Sequence, residues 1–253
     1  MTNHYPDLAS QVVFVTGAAQ GIGAAQAEAF LNQGAKVFGV DLKLGKMEEL
    51  AIKYPTHFIS FIGDISQKEV IEQAVTTCHE KVGDISILLN TAGILDGYKP
   101  LLDTDETLWD RIYEVNVRSL FRLTKQVLPD MLEKQTGTII NMASIAGMVA
   151  GGGGIAYTSA KHAIIGFTKQ LALDYAAQGL RVKAIAPGAI QTPMNAADFA
   201  GDGEMAKWVA EETPVKRWAQ PEEVAELTLF LATPQASYIH GAIVPIDGGW
   251  LLK

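Results

Sequence analysis

The sequence predicts an α/β fold, doubly wound, with a seven-stranded parallel sheet carrying helices on both faces. Three observations predict it. Short apolar runs alternate with longer amphipathic stretches along the chain. The runs are apolar almost without interruption, as strands covered on both faces must be. No repeat, low-complexity tract or linker breaks the alternation, so residues 1–253 read as one domain.

Each element has a local reason. Residues 12–16 form a β-branched run that ends in glycines, the first strand. Residues 22–33 read as a helix that Gly34 stops. Residues 36–41 are a second buried strand, and 45–53 a short helix closed off by Pro55. Residues 57–62 make a third strand, 67–81 a helix, and 85–90 a fourth strand. Residues 105–134 carry apolar side chains at helical spacing, with Pro129 expected to kink the last turn. Residues 138–142 are the fifth strand, 156–177 a long helix, and 181–186 the sixth strand. Residues 191–215 lose periodicity and read as a substrate loop. Residues 221–231 start on Pro221 with Glu222 and Glu223 in the first turn, a helix N-terminus; 242–246 are the last strand. Right-handed crossovers turn this order into a Rossmann-type domain.

Composition narrows the partners. Apolar residues make up 48% of the chain and charged residues 19%, a globular balance. The formal charge is −8 and the Lys and Arg residues are scattered, so neither nucleic acid nor an anionic membrane is an expected partner. No stretch approaches the ~18 apolar residues of a membrane helix. Residues 1–11 are polar and lack the apolar core of a signal peptide. The single cysteine, Cys78, forms no internal disulfide and fits a reducing, cytoplasmic setting; its helix-like surroundings suit a packed side chain better than a reactive thiol. No metal site is expected.

The first strand runs into Gly17-Ala18-Ala19-Gln20-Gly21-Ile22-Gly23 and then a helix. Such a loop lets a pyrophosphate approach the helix N-terminus, where free N–H groups and the helix dipole favour anionic oxygen. A tight turn without ligand is the plainer alternative; the strand–loop–helix context favours a dinucleotide. Asp41 ends the second strand, where a carboxylate accepts from the adenosine ribose hydroxyls and repels a 2′-phosphate. NAD(H) is therefore the preferred cofactor, with NADP(H) as the alternative because Lys43 lies close. The other reading of Asp41 is a loop cap. Asp64, followed by Ile65, either meets the adenine or caps the next helix. Asn90, Ala92 and Gly93 end the fourth strand, where small residues let the loop pass close to the adenosine; Asn90 alternatively stitches strands together.

Ser144 closes the fifth strand, and Tyr157 and Lys161 stand four apart, on one helical face. A free tyrosine has a pKa of ~10, and a neighbouring ammonium lowers it. Such a tyrosine exchanges a proton with an alcohol or a developing alkoxide, and Ser144 donates to the same oxygen. The glycines at 151–154 are expected to give the chain freedom to bring Tyr157 to Ser144. Alone, a tyrosine and lysine at this spacing are an ordinary exposed helix pair; the glycine loop and the strand-end serine shift the weighing toward catalysis.

These residues, with Asn116, Pro187-Gly188, Thr192, Pro221, Val224 and Asp247-Gly248-Gly249, resemble the short-chain dehydrogenase/reductase family almost end to end, including its 3-oxoacyl-carrier-protein reductase-like members. The resemblance implies a Ser144–Tyr157–Lys161 catalytic set, with Asn116 holding a water behind the lysine. Without the resemblance, Asn116 reads as a polar residue satisfying a helix interior. The resemblance also implies that Lys161 bonds the nicotinamide ribose beside Tyr157. Backbone at Pro187, Gly188 and Ile190, and the Thr192 hydroxyl, would hold the carboxamide. A homotetramer built on the two long helices is implied as well.

The departures matter. Those carrier-protein reductases commonly place a basic residue where Gln20 stands and another where Asp174 stands, which argues against thioester reduction with NADPH; Arg118, Arg122 and Lys169 keep that alternative open. The expected activity is NAD(H)-dependent hydride transfer to or from a secondary alcohol or ketone: a small carbonyl, a polyol or a sugar acid. A dinucleotide-binding protein without turnover is the reading from another class. Met194, Phe199, Met205 and Trp208 are expected to supply apolar contacts from the loop at 191–215, and Trp250 to pack or meet a subunit.

Overall fold

The computed structural model describes residues 4–253, so residues 1–3 of the polar opening stretch lie outside the described residues. Seven strands form one sheet: β1 (Val12–Thr16), β2 (Lys36–Asp41), β3 (Phe58–Ile62), β4 (Ile87–Asn90), β5 (Gly137–Met142), β6 (Leu180–Pro187) and β7 (Ile243–Ile246). Their order is β3-β2-β1-β4-β5-β6-β7 and every pairing is parallel. The order reverses between β1 and β4, the place where open α/β sheets part to admit a ligand.

The period of two along each strand divides the core. Val13 and Val15 point to one face, with Ile87, Leu89 and Ile140. They meet α1 (Gly21–Asn32), α2 (Lys46–Lys53) and α8 (Pro221–Ala232) through Phe30, Met47 and Leu229. Phe14, Leu88 and Ile139 point the other way, to α3 (Lys68–Lys81), α5 (Ser119–Glu133) and α6 (Ile155–Tyr175) through Val75, Leu123 and Leu171. A fully buried side chain of this kind contributes about 1.5–3 kcal/mol, and a one-residue slip would turn a whole strand's set to the wrong layer. Cys78 lies inside the second layer, and burial, then Asp84, pushes its thiol up to about 12.

Strands and helices begin and end within two residues of the sequence expectation, with two exceptions. The long helix at 105–134 is not continuous. It consists of α4 (Glu106–Tyr113), a π turn at Glu114–Arg118, and α5, with Pro129 inside α5. Ser119 Oγ donates to the Val115 carbonyl at 2.6 Å, and the extra residue of the turn carries the buried Asn116. The loop at 191–215 is not structureless. It holds a 3₁₀ segment, Pro193–Phe199, and a helix, α7 (Glu204–Glu212). Both are too short to show a period, and Gly201 and Gly203, at φ +66° and +70°, separate them.

Candidate active site

A cleft of about 890 Å³ opens at the carboxyl ends of the strands. Its walls include Gly17, Gln20, Gly21, Ile22, Gly23, Asp41, Asp64, Ile65, Ala92, Gly93, Ser144, Tyr157, Lys161, Pro187, Gly188, Ile190 and Thr192. Asn90 and Asn116 are not in the walls.

The glycine loop hangs from β2, with the Gly17 and Ala18 amides donating to the Val40 carbonyl at 2.9 and 3.2 Å. A Cβ on Gly23 would stand 2.2 Å from the Gly17 carbonyl oxygen, so no side chain fits there. Gln20, the N-cap of α1, makes no side-chain cap, which leaves the first amides of the helix for an anion. A dinucleotide pyrophosphate fits that cradle.

At the β2 end, Asp41 accepts from the Ala19 amide at 3.0 Å and the Leu42 amide at 2.7 Å. The carboxylate is thus held rigid in the cleft wall. Asp64 accepts from the Ser66 amide at 2.9 Å, with Arg111 at 3.8 Å. Burial works against its charge, but Ser66 and Arg111 outweigh it and hold the carboxyl below its ordinary range. Its cap expectation is corrected in detail: it closes a turn onto Ser66, while Gln67 is the N-cap of α3.

Asn90 stitches strands. Its Nδ2 donates to Asn141 Oδ1 at 2.9 Å and to Thr124 Oγ1 at 3.2 Å, and Asn141 donates on to Thr168 Oγ1 at 2.9 Å. The side chain is spent inside the sheet, away from the adenosine expected of it. Asn116 is likewise engaged: Oδ1 accepts from the Ile94 amide at 2.8 Å and Nδ2 donates to the Ile94 carbonyl at 2.9 Å. It clamps the backbone behind Gly93, on the side of Lys161.

Ser144 ends β5 in extended backbone, and its Oγ accepts from the Ala146 amide at 3.1 Å. Tyr157 lies in the first turn of α6. Lys161, one turn on, donates from Nζ to the Met142 carbonyl at 2.7 Å and sits 5.4 Å from the Tyr157 ring centre. Both side chains are buried. Burial pushes the Tyr157 hydroxyl up to about 12; the hydrogen bond from Ser144 opposes this, and Tyr98 and Asp96 add to it. Burial pushes Lys161 down to about 8. This differs from the expectation that the ammonium would lower the tyrosine. Desolvation acts on both groups and disfavours both charges.

The glycines before Tyr157 also work differently from the expectation. Gly151 has φ +98°, but Gly154 is needed for close approach: a Cβ there would stand 2.5 Å from Asp96 Oδ2 and 2.6 Å from the Lys99 amide nitrogen. Asp96, which sequence reasoning missed, is 2% exposed. Its Oδ1 accepts from the Gly154 amide at 2.9 Å and the Tyr98 amide at 3.1 Å, and its Oδ2 from the Tyr157 amide at 2.9 Å. This carboxylate fixes the start of α6. An aspartate in an irregular loop carries no periodic signal that would single it out.

Met194, Met205 and Trp208 line the cleft, whereas Phe199 packs its ring 4.9 Å from that of Trp218. Trp218 lines the cleft too and ties itself to α7 through a 2.9 Å bond to the Ala206 carbonyl. Trp250 also lines the cleft, a position beyond the packing or subunit role expected of it. The Thr192 hydroxyl donates to Asn195 Oδ1 at 2.9 Å.

The family model described as Enoyl-(Acyl carrier protein) reductase matches residues 17–251. The 3beta-hydroxysteroid dehydrogenase 2 of Eggerthella lenta is 35% identical, over 98% of this chain and 97% of that protein. The 3-oxoacyl-[acyl-carrier-protein] reductase FabG of Thermotoga maritima is 34% identical, over 97% and 99%. The crystal structure of levodione reductase superimposes with a TM-score of 0.90 at 32% identity, over 95% of this chain and 97% of that one.

Proposed function

The chain belongs to the short-chain dehydrogenase/reductase family, oxidoreductases that act on CH–OH groups with a nicotinamide dinucleotide, and from that premise we propose an NAD(H)-preferring secondary alcohol dehydrogenase or ketone reductase in which Tyr157 moves the proton. One observation carries the reading: Ser144, Tyr157 and Lys161 share a single cleft with the uncapped N-terminus of α1. Gly17–Gly23 and Asp41 would hold the dinucleotide, which would supply the hydride carrier and, when oxidised, a positive charge in the cleft.

The chain's own groups do the rest. At neutral pH Tyr157 holds its proton, as a donor to a developing alkoxide must. Ser144, whose side chain favours the ionised form of Tyr157, turns its hydroxyl to the substrate oxygen when one is present. Lys161, which burial pushes down to about 8, is the proton source in the same cleft that would replace the proton Tyr157 gives up. Asn116 is a positioning residue: it fixes the Ile94 backbone, and with it Gly93, beside Lys161. Asp41 cannot swing away from a 2′-phosphate, because two backbone amides hold it, and this supports NAD(H) over NADP(H).

The segment at 191–215 closes over the substrate. A cytoplasmic homotetramer on α5 and α6 belongs to the same reading; Phe121 and Leu173 are exposed on those helices, and no described helix is long and apolar enough to cross a membrane. Thioester reduction with NADPH, suggested by the FabG relatives, is disfavoured because Arg118 and Arg122 are both paired with Glu114, leaving Lys169 alone of the three basic candidates to meet an acidic carrier protein.

The test is an assay at the NADH absorbance band, crossing NADH and NADPH with ketones, diketones, polyols and oxoacyl thioesters. Turnover of a ketone with NADH is expected. Turnover of oxoacyl thioesters alone, with NADPH, would refute the reading.

A further inference from the structure

The end of the cleft beside Tyr157 differs in chemistry from the end beside Asp41. Lys43, Arg111 and Lys161 are the cations in the cleft wall among the described residues. Lys43 follows β2, and Arg111 donates to Ser66 Oγ at 3.2 Å beside Asp64, so both stand at the adenosine end. Lys161 is turned to the Met142 carbonyl behind Tyr157. No cation is therefore free at the reacting end to meet an anionic substrate.

A carboxylate is present there instead. Asp198 lines the cleft beside Tyr98, and burial, then Asp198, then Asp96 hold the Tyr98 hydroxyl above its ordinary range. Tyr98 has φ +58°, a strained backbone for a tyrosine, pinned by Asp96. The remaining wall is apolar: Ile145, Met194, Met205, Trp208, Trp218 and Trp250. Met194, Met205 and Trp208 are 42%, 54% and 53% exposed, large apolar surfaces facing an open cleft. The polar pair that remains, Thr192 and Asn195, is bonded to itself.

We propose that the substrate is an uncharged, predominantly hydrocarbon ketone or secondary alcohol, bound by the apolar lid face, and not a sugar acid, sulfonate or phosphorylated compound. Burying Met205 and Trp208 drives binding of such a molecule. An anion would meet the Asp198 carboxylate at an end of the cleft whose one cation, Lys161, is already bonded to the Met142 carbonyl.

The proposal rests on the catalytic reading above, and the experiment separates the two. The probes 4-isopropylcyclohexanone and 4-oxocyclohexane-1-carboxylate have nearly the same shape and differ in charge at the branch. Binding to the NADH-loaded Tyr157→Phe protein, which does not turn the ketone over at a competing rate, is read from quenching of tryptophan emission, since Trp208, Trp218 and Trp250 line the cleft. Turnover is read from NADH absorbance. The neutral ketone is expected to bind about 100-fold tighter, equal to ~2.8 kcal/mol at ~1.4 kcal/mol per decade. A ratio below about tenfold, or no measurable binding of either probe, overturns the substrate class. Absence of turnover across the whole panel with both cofactors overturns the catalytic reading, while the binding ratio still decides the substrate class. Met205→Arg, on the exposed face of α7, places a guanidinium in this wall and is expected to narrow the ratio about tenfold. An unmoved ratio would show that the lid face does not touch the substrate.

Discussion

Replacing Asp96 with asparagine should displace Tyr157 while leaving the glycine loop intact. In the native chain two carboxylate oxygens accept three backbone amides, those of Gly154 and Tyr157, which are buried, and that of Tyr98, which is part-buried. An asparagine has one accepting oxygen, and its nitrogen only donates. With the oxygen kept on Gly154 and Tyr98, the side-chain NH₂ faces the Tyr157 N–H, donor against donor. The flipped amide faces two donors and is worse. The better orientation loses one charge-assisted bond and strands a buried N–H, a cost of about 1–3 kcal/mol for the stranded group. Loss of the negative charge at the N-terminus of α6 adds about 0.3–2 kcal/mol.

The total is about 1–5 kcal/mol, and a domain of this size loses roughly 2–4 °C of Tm per kcal/mol, so Tm should fall by about 3–20 °C. The N–H conflict is relieved by moving the first turn of α6, and a displacement of ~1 Å at a reacting group costs about 100-fold in rate. The assays are a thermal melt, an NADH titration and steady-state turnover. The expected result is a lowered Tm and a kcat reduced by about 10–100-fold, with NADH affinity kept within about threefold. A Tm within about 2 °C of wild type together with unchanged kcat would refute the clamp. Loss of NADH binding in step with kcat would point to general unfolding instead.

Tyr157→Phe should lower kcat by at least about 100-fold and leave NADH affinity nearly unchanged, as judged by turnover and fluorescence titration. Asp41→Ala should shift the ratio of kcat/KM for NADH over NADPH toward NADPH; a wild type that already prefers NADPH would disprove the role given to Asp41. Lys183 is fully buried on β6, with Nζ donating to the Leu231 carbonyl at 2.6 Å, and burial, then Arg181, pushes it down to about 8. The unfolded chain holds that proton up to about 10.5 and the folded chain releases it near 8, so unfolding takes up protons in between and stability rises with pH across that window. Lys161 acts in the same direction. The Cys78 thiol and the Tyr157 hydroxyl, both raised to about 12, act the opposite way above about pH 9 and 10, so Lys183→Met should remove most of the rise of Tm between about pH 8 and 10; an unchanged slope would assign the titration elsewhere.

What the sequence disclosed and what it concealed follow from the range of the forces involved. Burial on both sheet faces acts at every strand position, so strands such as Val12–Thr16 and Lys36–Asp41 are legible from apolar runs alone. Gly17, Gly21 and Gly23 are legible because one backbone turn demands them together. Single long-range contacts leave no such trace. Asn116 bonds Ile94, 22 residues away, and the π turn that aims it there has no period of its own. Asp96 reaches Tyr157 across 61 residues. Trp250 enters the cleft from the far end of the chain.

The electrostatics of the reacting end were the least legible, because they depend on depth. Spacing placed Lys161 next to Tyr157, and from spacing alone the ammonium should dominate. Burial reverses that order: Tyr157 rises to about 12 and Lys161 falls to about 8, so burial works against both charges, and at neutral pH Tyr157 is neutral in the free chain. A tyrosine of this kind is a proton donor first. To act as a base it needs a cation brought to it, and the oxidised dinucleotide carries one. Oxidation of an alcohol should then depend on pH far more steeply than reduction of a ketone, because only oxidation requires Tyr157 to lose its proton before the hydride moves. Parallel pH profiles for the two directions would show that Tyr157 is not the group that titrates.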